Sequence, residues 1–283
     1  MTSIADQMLV VYCFVDDFLK AHPGQTSWRA SNNARPDFTD AEVITIALIT
    51  QGVPGCLGCA SLKQAYRLVA NNWRTLFPKL PSYKQWLARL HRGAAIVGML
   101  IQKATLPLED KLYLMDSKPI AVCKPIRHGR VRLLRDQGAY WGKNKAGWHF
   151  GFKLHVLAHH RGAILCAFLT PANVDDRDVA AALADALDGG VLLADLGYQD
   201  AKVLEPLLWE EFNMLLITPA HAGQEHHALV SSIRERIETC FSGLWSRFVD
   251  RVFWRSWHGL WNTIKLKMLH YNLCQAGVLP LPD

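Results

Sequence analysis

The sequence predicts an α/β protein, a mixed sheet flanked by helices, preceded by an all-helical N-terminal domain. Three observations predict it. The first ~108 residues hold apolar segments at helical spacing, punctuated by Pro and Gly. From Lys111 the rhythm changes to short apolar runs of strand length. Farther on, those runs alternate with helical segments, the pattern of a sheet with right-handed crossovers. A chain of 283 residues is long enough for about two domains. The expected division is 1–108, helical; 109–275, α/β; and 276–283, a tail.

The elements follow in order. Ala5–Lys20 is apolar-rich and ends near Pro23-Gly24, before a polar loop over 25–36. Thr39 and Glu42 match the Ser/Thr-x-x-Glu capping box ahead of an apolar run. Residues 52–58 form a Gly/Pro break, and Ser61–Phe77 reads as a helix. Pro78 and Pro81 interrupt the chain, and Ser82 caps a basic helix over Tyr83–Arg92. Lys63, Arg67, Arg74, Lys84, Arg89 and Arg92 make these short helices resemble a small DNA-binding module. A helical bundle with a solvated basic face has the same pattern. Leu112–Met115 is a strand that ends in Asp116. Phe152, Leu154, Val156 and Ala158 share one face of a second strand. His160-Arg161-Gly162 turns it into a third, Ala163–Leu169. Asp175–Leu187 is a helix stopped by Gly189-Gly190, and Val191–Ala194 is a buried-type strand ending at Asp195. A helix over Asp200–Phe212, a strand over Met214–Thr218 and a long helix over Ala228–Phe248 complete the series.

Half the residues are hydrophobic and 20% are charged, ordinary globular usage that excludes disorder as the main state. No apolar run approaches the ~20 residues of a membrane span. The early run Met8–Val15 lacks a preceding basic residue and meets Asp16-Asp17, a poor signal peptide. A cytoplasmic location without membrane contact is expected, and seven scattered Cys fit reduced thiols. Cys56-x2-Cys59 is half a zinc site with no second pair at suitable spacing.

The net charge of +6 is uneven. Residues 124–161 carry Lys124, Arg127, Arg130, Arg132, Arg135, Lys143, Lys145, Lys153 and Arg161 against one acid, Asp136. Tyr140, Trp141 and Trp148 are interleaved, a combination suited to phosphate contact with base stacking. Residues 162–233 carry Arg177 and Lys202 against eleven acids.

Two strands ending in aspartate, Asp116 and Asp195, are informative because a buried strand rarely finishes in a carboxylate without a partner or a metal. One such Asp alone is commonly a turn former; two in one sheet are less so. On the long helix, Leu229, Ile233, Ile237, Cys240, Phe241, Leu244 and Phe248 form an apolar stripe at 100° per residue. Glu238 lies on its border and Glu235 lies toward solvent. Arg234, four residues before Glu238, either pairs with it or meets phosphate. Three converging carboxylates need a cation to coexist, and an all-oxygen set suits Mg²⁺ or Mn²⁺. Two such ions would serve an in-line attack on a phosphodiester.

These residues bring a family resemblance into view. The chain resembles bacterial insertion-sequence transposases of the DDE class, specifically insertion-sequence family 982. The resemblance is carried by Asp116-Ser117-Lys118-Pro119-Ile120, Val122-Cys123-Lys124 with Arg127, and Gly151-Phe152-Lys153-Leu154-His155. Leu169-Thr170-Pro171-Ala172-Asn173 with Asp176, Ala194-Asp195-Leu196-Gly197-Tyr198, Arg236-Ile237-Glu238 with Phe241, and Tyr271-Asn272-Leu273 continue it. Phe38–Val43 adds an N-terminal match. The resemblance implies a ribonuclease H-like catalytic fold over 109–275 and Asp116, Asp195 and Glu238 as the DDE triad. It also implies two Mg²⁺ (or Mn²⁺) ions, cleavage at the ends of a mobile element, and joining of the freed 3′-hydroxyls to target DNA. One departure stands out. Many relatives surround the Glu with Tyr-x2-Arg-x3-Glu-x6-Lys; here Arg234 keeps the Arg, while Ser231 and Trp245 replace the Tyr and Lys. Arg247 or Arg251 would then take over the Lys contact to DNA.

A homodimer or higher assembly on DNA is expected, because two element ends must be paired, with nucleoid association when DNA is bound. Two other readings remain open. One is a ribonuclease H-like nuclease without strand transfer; the other is a catalytically inactive, transposase-derived DNA-binding protein.

Overall fold

The computed structural model describes residues 3–26, 36–53, 57–59, 61–105, 110–145, 147–221, 223–250 and 254–281. Cys56 and Arg251 fall outside the described residues. The chain divides into two compact units. One comprises residues 1–104, 246–248 and 258–283; the other comprises 105–245 and 249–257.

The first unit holds α1 (Ile4–Ala21), α2 (Asp40–Ile49), α3 (Leu62–Asn72), α4 (Tyr83–Arg92), α5 (Ala94–Lys103) and most of α9 (Trp257–Gln275). The capping box forms as the sequence predicts. The Thr39 hydroxyl accepts from Glu42 N (3.1 Å), and Glu42 accepts from Thr39 N (2.6 Å). Nearly every residue of α2 is buried, so it is the central helix of this unit rather than an amphipathic one. Trp86 of α4 is fully buried against it and donates from its indole to the Val43 carbonyl (3.1 Å). Arg89 pairs with Asp40 at 2.7 Å.

The expected α/β span of 109–275 runs past the second unit: α9, at its C-terminal end, clusters with the helices instead. The physical reason is its burial. Thirteen of its residues, from Gly259 to Cys274, are inside, which hides the 3.6-residue polar rhythm that marks a helix in a sequence.

The second unit is built on a sheet of six strands: β1 (Leu112–Cys123), β2 (Tyr140–Asn144), β3 (Gly147–His159), β4 (Ile164–Pro171), β5 (Gly190–Leu193) and β6 (Met214–Ile217). The order is β2-β3-β1-β5-β6, with β4 also pairing β3. β1, β3 and β4 form an antiparallel meander; β5 and β6 continue from β1 in parallel. β2 pairs with Gly147–Gly151 and β4 with Phe152–Ala158, so the two lie end to end along one edge of β3. The meander and the later alternation match expectation. β2, inside the basic segment, is not among the strands that the sequence predicts.

Three helices accompany the sheet: α6 (Asp176–Ala184), α7 (Leu204–Phe212) and α8 (Gly223–Trp245). Tyr113 and Met115 of β1 pack with Val179, Leu183, Leu204 and Leu208 in a core between the sheet and α6/α7. Strand side chains alternate, so Leu114, Asp116 and Lys118 face the other way, toward α8, which packs against β1. No helix among the described residues is long and apolar enough to cross a membrane.

Candidate active site

Register relates the two aspartates, although β1 does not end in Asp116 as the sequence predicts: its pairing with β3 carries it on to Cys123. In the parallel pairing of β1 with β5, Leu114 is matched with Leu193. Asp116 and Asp195 each lie two residues beyond that pair, on the chain segments that continue from the two neighbouring strands. Asp116 continues the strand and accepts from Ser117 N at 2.7 Å. Asp195 leaves it, caps the 3-10 turn Leu196–Tyr198 and accepts from Leu196 N at 2.7 Å. Turn capping and a place at the sheet's C-terminal edge therefore coexist in one residue.

α8 supplies the other two groups. Ile237, Cys240, Phe241 and Leu244 are buried, as the stripe predicts. Glu238 is exposed on the border, with 63% of its side chain accessible, and its carboxylate lies 3.9 Å from Arg234 Nη2. Arg234 is more enclosed; its Nε is buried without a hydrogen-bond partner. Burial pushes the Asp116 carboxyl up to about 6. The Ser117 N–H and Arg234 oppose the rise, and the Asp195 and Asp176 charges add to it. Asp116 is thus electrostatically joined to Asp195, Asp176 and Arg234, and through Arg234 to Glu238.

Behind Asp116 lies a polar network that takes in Lys153, which the sequence groups with the phosphate-contacting bases. The Ser117 hydroxyl donates to Asp176 (3.0 Å), and Lys153 Nζ donates to the same carboxylate (2.7 Å) and to the Val174 carbonyl (2.8 Å). His155, fully buried, places Nε2 2.8 Å from the Thr170 hydroxyl and Nδ1 3.7 Å from Asp176. Burial holds its imidazole down at about 4; Asp176 opposes that and Lys153 adds to it. The Tyr198 hydroxyl is buried without a hydrogen-bond partner, and burial beside Asp176 and Asp116 raises its pKa well above the usual value. Local patterning could flag none of these pairings, because β3, the start of α6 and the turn after β5 meet only in the fold.

The basic residues divide. Lys124, Arg127, Arg130, Arg132, Arg135, Lys143 and Lys145 are exposed. Tyr140 and Trp148 are also exposed (57% and 60%), and Lys143 lies over the Trp148 ring at 5.6 Å. Trp141, Lys143, Trp148, Lys153, Asp175 and Asp176 line a cleft of about 360 Å³. Lys153 does not stand free there, being engaged by Asp176. Arg247 is 2% exposed and belongs to the helical unit, with Nε 3.3 Å from His270 Nδ1. It has no open face for a phosphate, and its burial is a tertiary effect that the flanking sequence conceals.

Asp116, Asp195 and Glu238 form an oxygen-only set, the donor chemistry of Mg²⁺ or Mn²⁺. The raised Asp116 fits a cation, since charge compensation is what that buried carboxyl lacks. Among the described residues, one group brings three metal-ligating side chains within 4.8 Å of one another: Asp110, His159 and His160. The triad carboxylates do not meet that spacing. The Asp110 group lies at the N-terminal end of β1, where Tyr113 pairs with His159, three residues before Asp116 pairs with Val156. It is already hydrogen-bonded. His160 and Arg161 each reach Asp110 Oδ2 at 2.9 Å. His159 Nδ1 accepts from Arg161 N (3.2 Å), which leaves the proton on Nε2, 3.0 Å from the Asp110 carbonyl.

Residues 107–239 match the family model of the transposase DDE domain, a span that includes Asp116, Asp195 and Glu238. The match supports a DDE-type transposase, and with it DNA as the partner and divalent-metal chemistry. No curated protein and no solved structure matches the chain.

Proposed function

We propose that the chain is a DDE transposase that cleaves the ends of an insertion sequence and joins the 3′-hydroxyls to target DNA. The observation that carries this is the placing of Asp116 and Asp195 two residues beyond the matched pair Leu114–Leu193, with Glu238 and Arg234 presented from α8. A three-strand antiparallel meander followed by two parallel strands supports a ribonuclease H-like fold. Insertion-sequence family 982 is the proposed family.

Asp116 and Asp195 would hold divalent metal, Mg²⁺ or Mn²⁺, with Glu238 completing the set for two ions. Bound there, the metal supplies an activated water for cleavage, an activated 3′-hydroxyl for transfer, and stabilisation of the leaving oxygen. Arg234 orients Glu238 and meets phosphate. Lys124, Arg127, Arg130, Arg132, Arg135, Lys143 and Lys145 form a backbone track, and Trp148 offers a stacking surface. The helical unit serves as a DNA-binding domain, and two or more copies pair the element ends. The setting is the bacterial cytoplasm, at the nucleoid.

An assay with short inverted-repeat ends, target DNA and Mg²⁺ tests this. Joined product that disappears in Asp195→Ala is expected. Cleavage without joining would make the protein a nuclease, and binding alone would make it an inactive DNA-binding relative.

A further inference from the structure

The face of β1 that carries Asp116 also carries Lys118, two residues on and pointing to the same side. Its ammonium lies 4.8 Å from the ring centre of Trp245 and 5.7 Å from that of Phe241. Both rings belong to α8. Arg234, Glu238, Phe241 and Trp245 recur at helical spacing, so the two rings follow Glu238 along one stripe. Lys118 is therefore held one to two turns beyond Glu238 on the helix and one step beyond Asp116 on the strand.

Among the described residues, its charge has no ion-pair partner. Of the other cations near the carboxylates, Lys153 is engaged by Asp176 at 2.7 Å, and Arg234 lies 3.9 Å from Glu238. Among the described residues, no carboxylate lies within ion-pair distance of Lys118 and no hydrogen bond reaches its ammonium. A lysine on a flexible stem beside several acids ordinarily pairs with one of them. Here the quadrupoles of two aromatic rings fix the ammonium instead and leave its hydrogen-bonding capacity unused. β1 then runs directly into Lys124, Arg127 and Arg130, all exposed, so Lys118 stands between the carboxylates and the basic segment.

We propose that Lys118 grips a DNA backbone phosphate beside the carboxylate site, presented from β1 and braced by Trp245 and Phe241. The proposal rests on the transposase reading above and names a DNA contact within it. A brace of this kind gives Trp245 a function: the helix provides the platform and the strand provides the charge.

The test uses the full chain and a fluorescent duplex in metal-free buffer, with binding measured across a salt series. Lys118→Met keeps an unbranched chain over the two rings and removes the charge. Its log K against log [salt] slope should be shallower than wild type by about 0.9, one phosphate contact. Lys118→Arg should restore the slope, and both variants should melt with wild-type Tm. In cleavage with Mg²⁺, Lys118→Met should raise KM and leave kcat nearly unchanged. Coincident slopes for Lys118→Met and wild type would overturn the proposal. So would equal losses in Lys118→Met and Lys118→Arg with lowered Tm, since packing would then explain both. The slope is read without metal or cleavage. Should Asp195→Ala cleave like wild type, the transposase reading fails while the Lys118 result stands by itself.

Discussion

Acid should loosen the sheet unit through one buried histidine. His155 is fully buried between the Thr170 hydroxyl and Asp176, and Lys153 Nζ stands on that same carboxylate. Its folded value is about 4, against 6.5 for the exposed imidazole. A depressed folded value means that the unfolded chain takes up the proton first. The stability contribution is therefore complete above pH 6.5 and is lost as pH falls toward 4. Between pH 7 and pH 5 the difference in proton uptake amounts to about 2 kcal/mol. The assay is urea unfolding at each pH, with hydrogen exchange of the β3 amides to read this unit by itself. His155→Gln keeps a polar group beside Thr170 and removes the titration. The stability difference between pH 7 and pH 5 should shrink by about 2 kcal/mol relative to wild type. An unchanged pH slope in the variant would refute the reasoning, because His155 would then not be buried in its neutral form.

Three further predictions concern separate parts of the chain. Gly151→Ala should destabilise the sheet unit by about 3 kcal/mol or more, read by chemical unfolding. The added Cβ would meet Ile120 O at 2.2 Å and Val122 N at 2.9 Å, beside the β1–β3 register shift, and neither backbone atom can swing away. Arg247→Met should lower the stability of the helical unit by about 2 kcal/mol and leave the salt slope of DNA binding unchanged, as the buried guanidinium near His270 requires. Trp148→Ala should weaken single-stranded DNA binding by about 1–3 kcal/mol if the exposed ring stacks on a base, measured by fluorescence titration.

The proposed site's carboxylates stand out in the sequence because their signals are local. An apolar run that ends in Asp116, another that ends at Asp195, and a helix stripe with Glu238 at its border each show within one element. The structure adds the register, which no single element contains: Leu114 opposite Leu193 makes the two aspartates neighbours. What could not be read depends on meetings between elements. β2 is an edge strand rich in exposed polar and charged groups, without the alternation that marks a half-buried strand. α9 is buried nearly all round, so its period is hidden. Lys153 was grouped with the phosphate-facing bases because its partner, Asp176, comes from a helix that approaches only in three dimensions. Lys118 passed as one letter of a motif, since the rings that hold it stand far along the chain.

The proposed function requires three carboxylates to act as one metal-dependent site. The measurement that addresses this most directly is strand transfer by Asp116→Asn, Asp195→Asn and Glu238→Gln across a Mn²⁺ series, with end-DNA binding measured in parallel. Each single variant should lose joined product at every metal concentration while still binding the ends. Joined product at wild-type level from any one of the three would contradict the account.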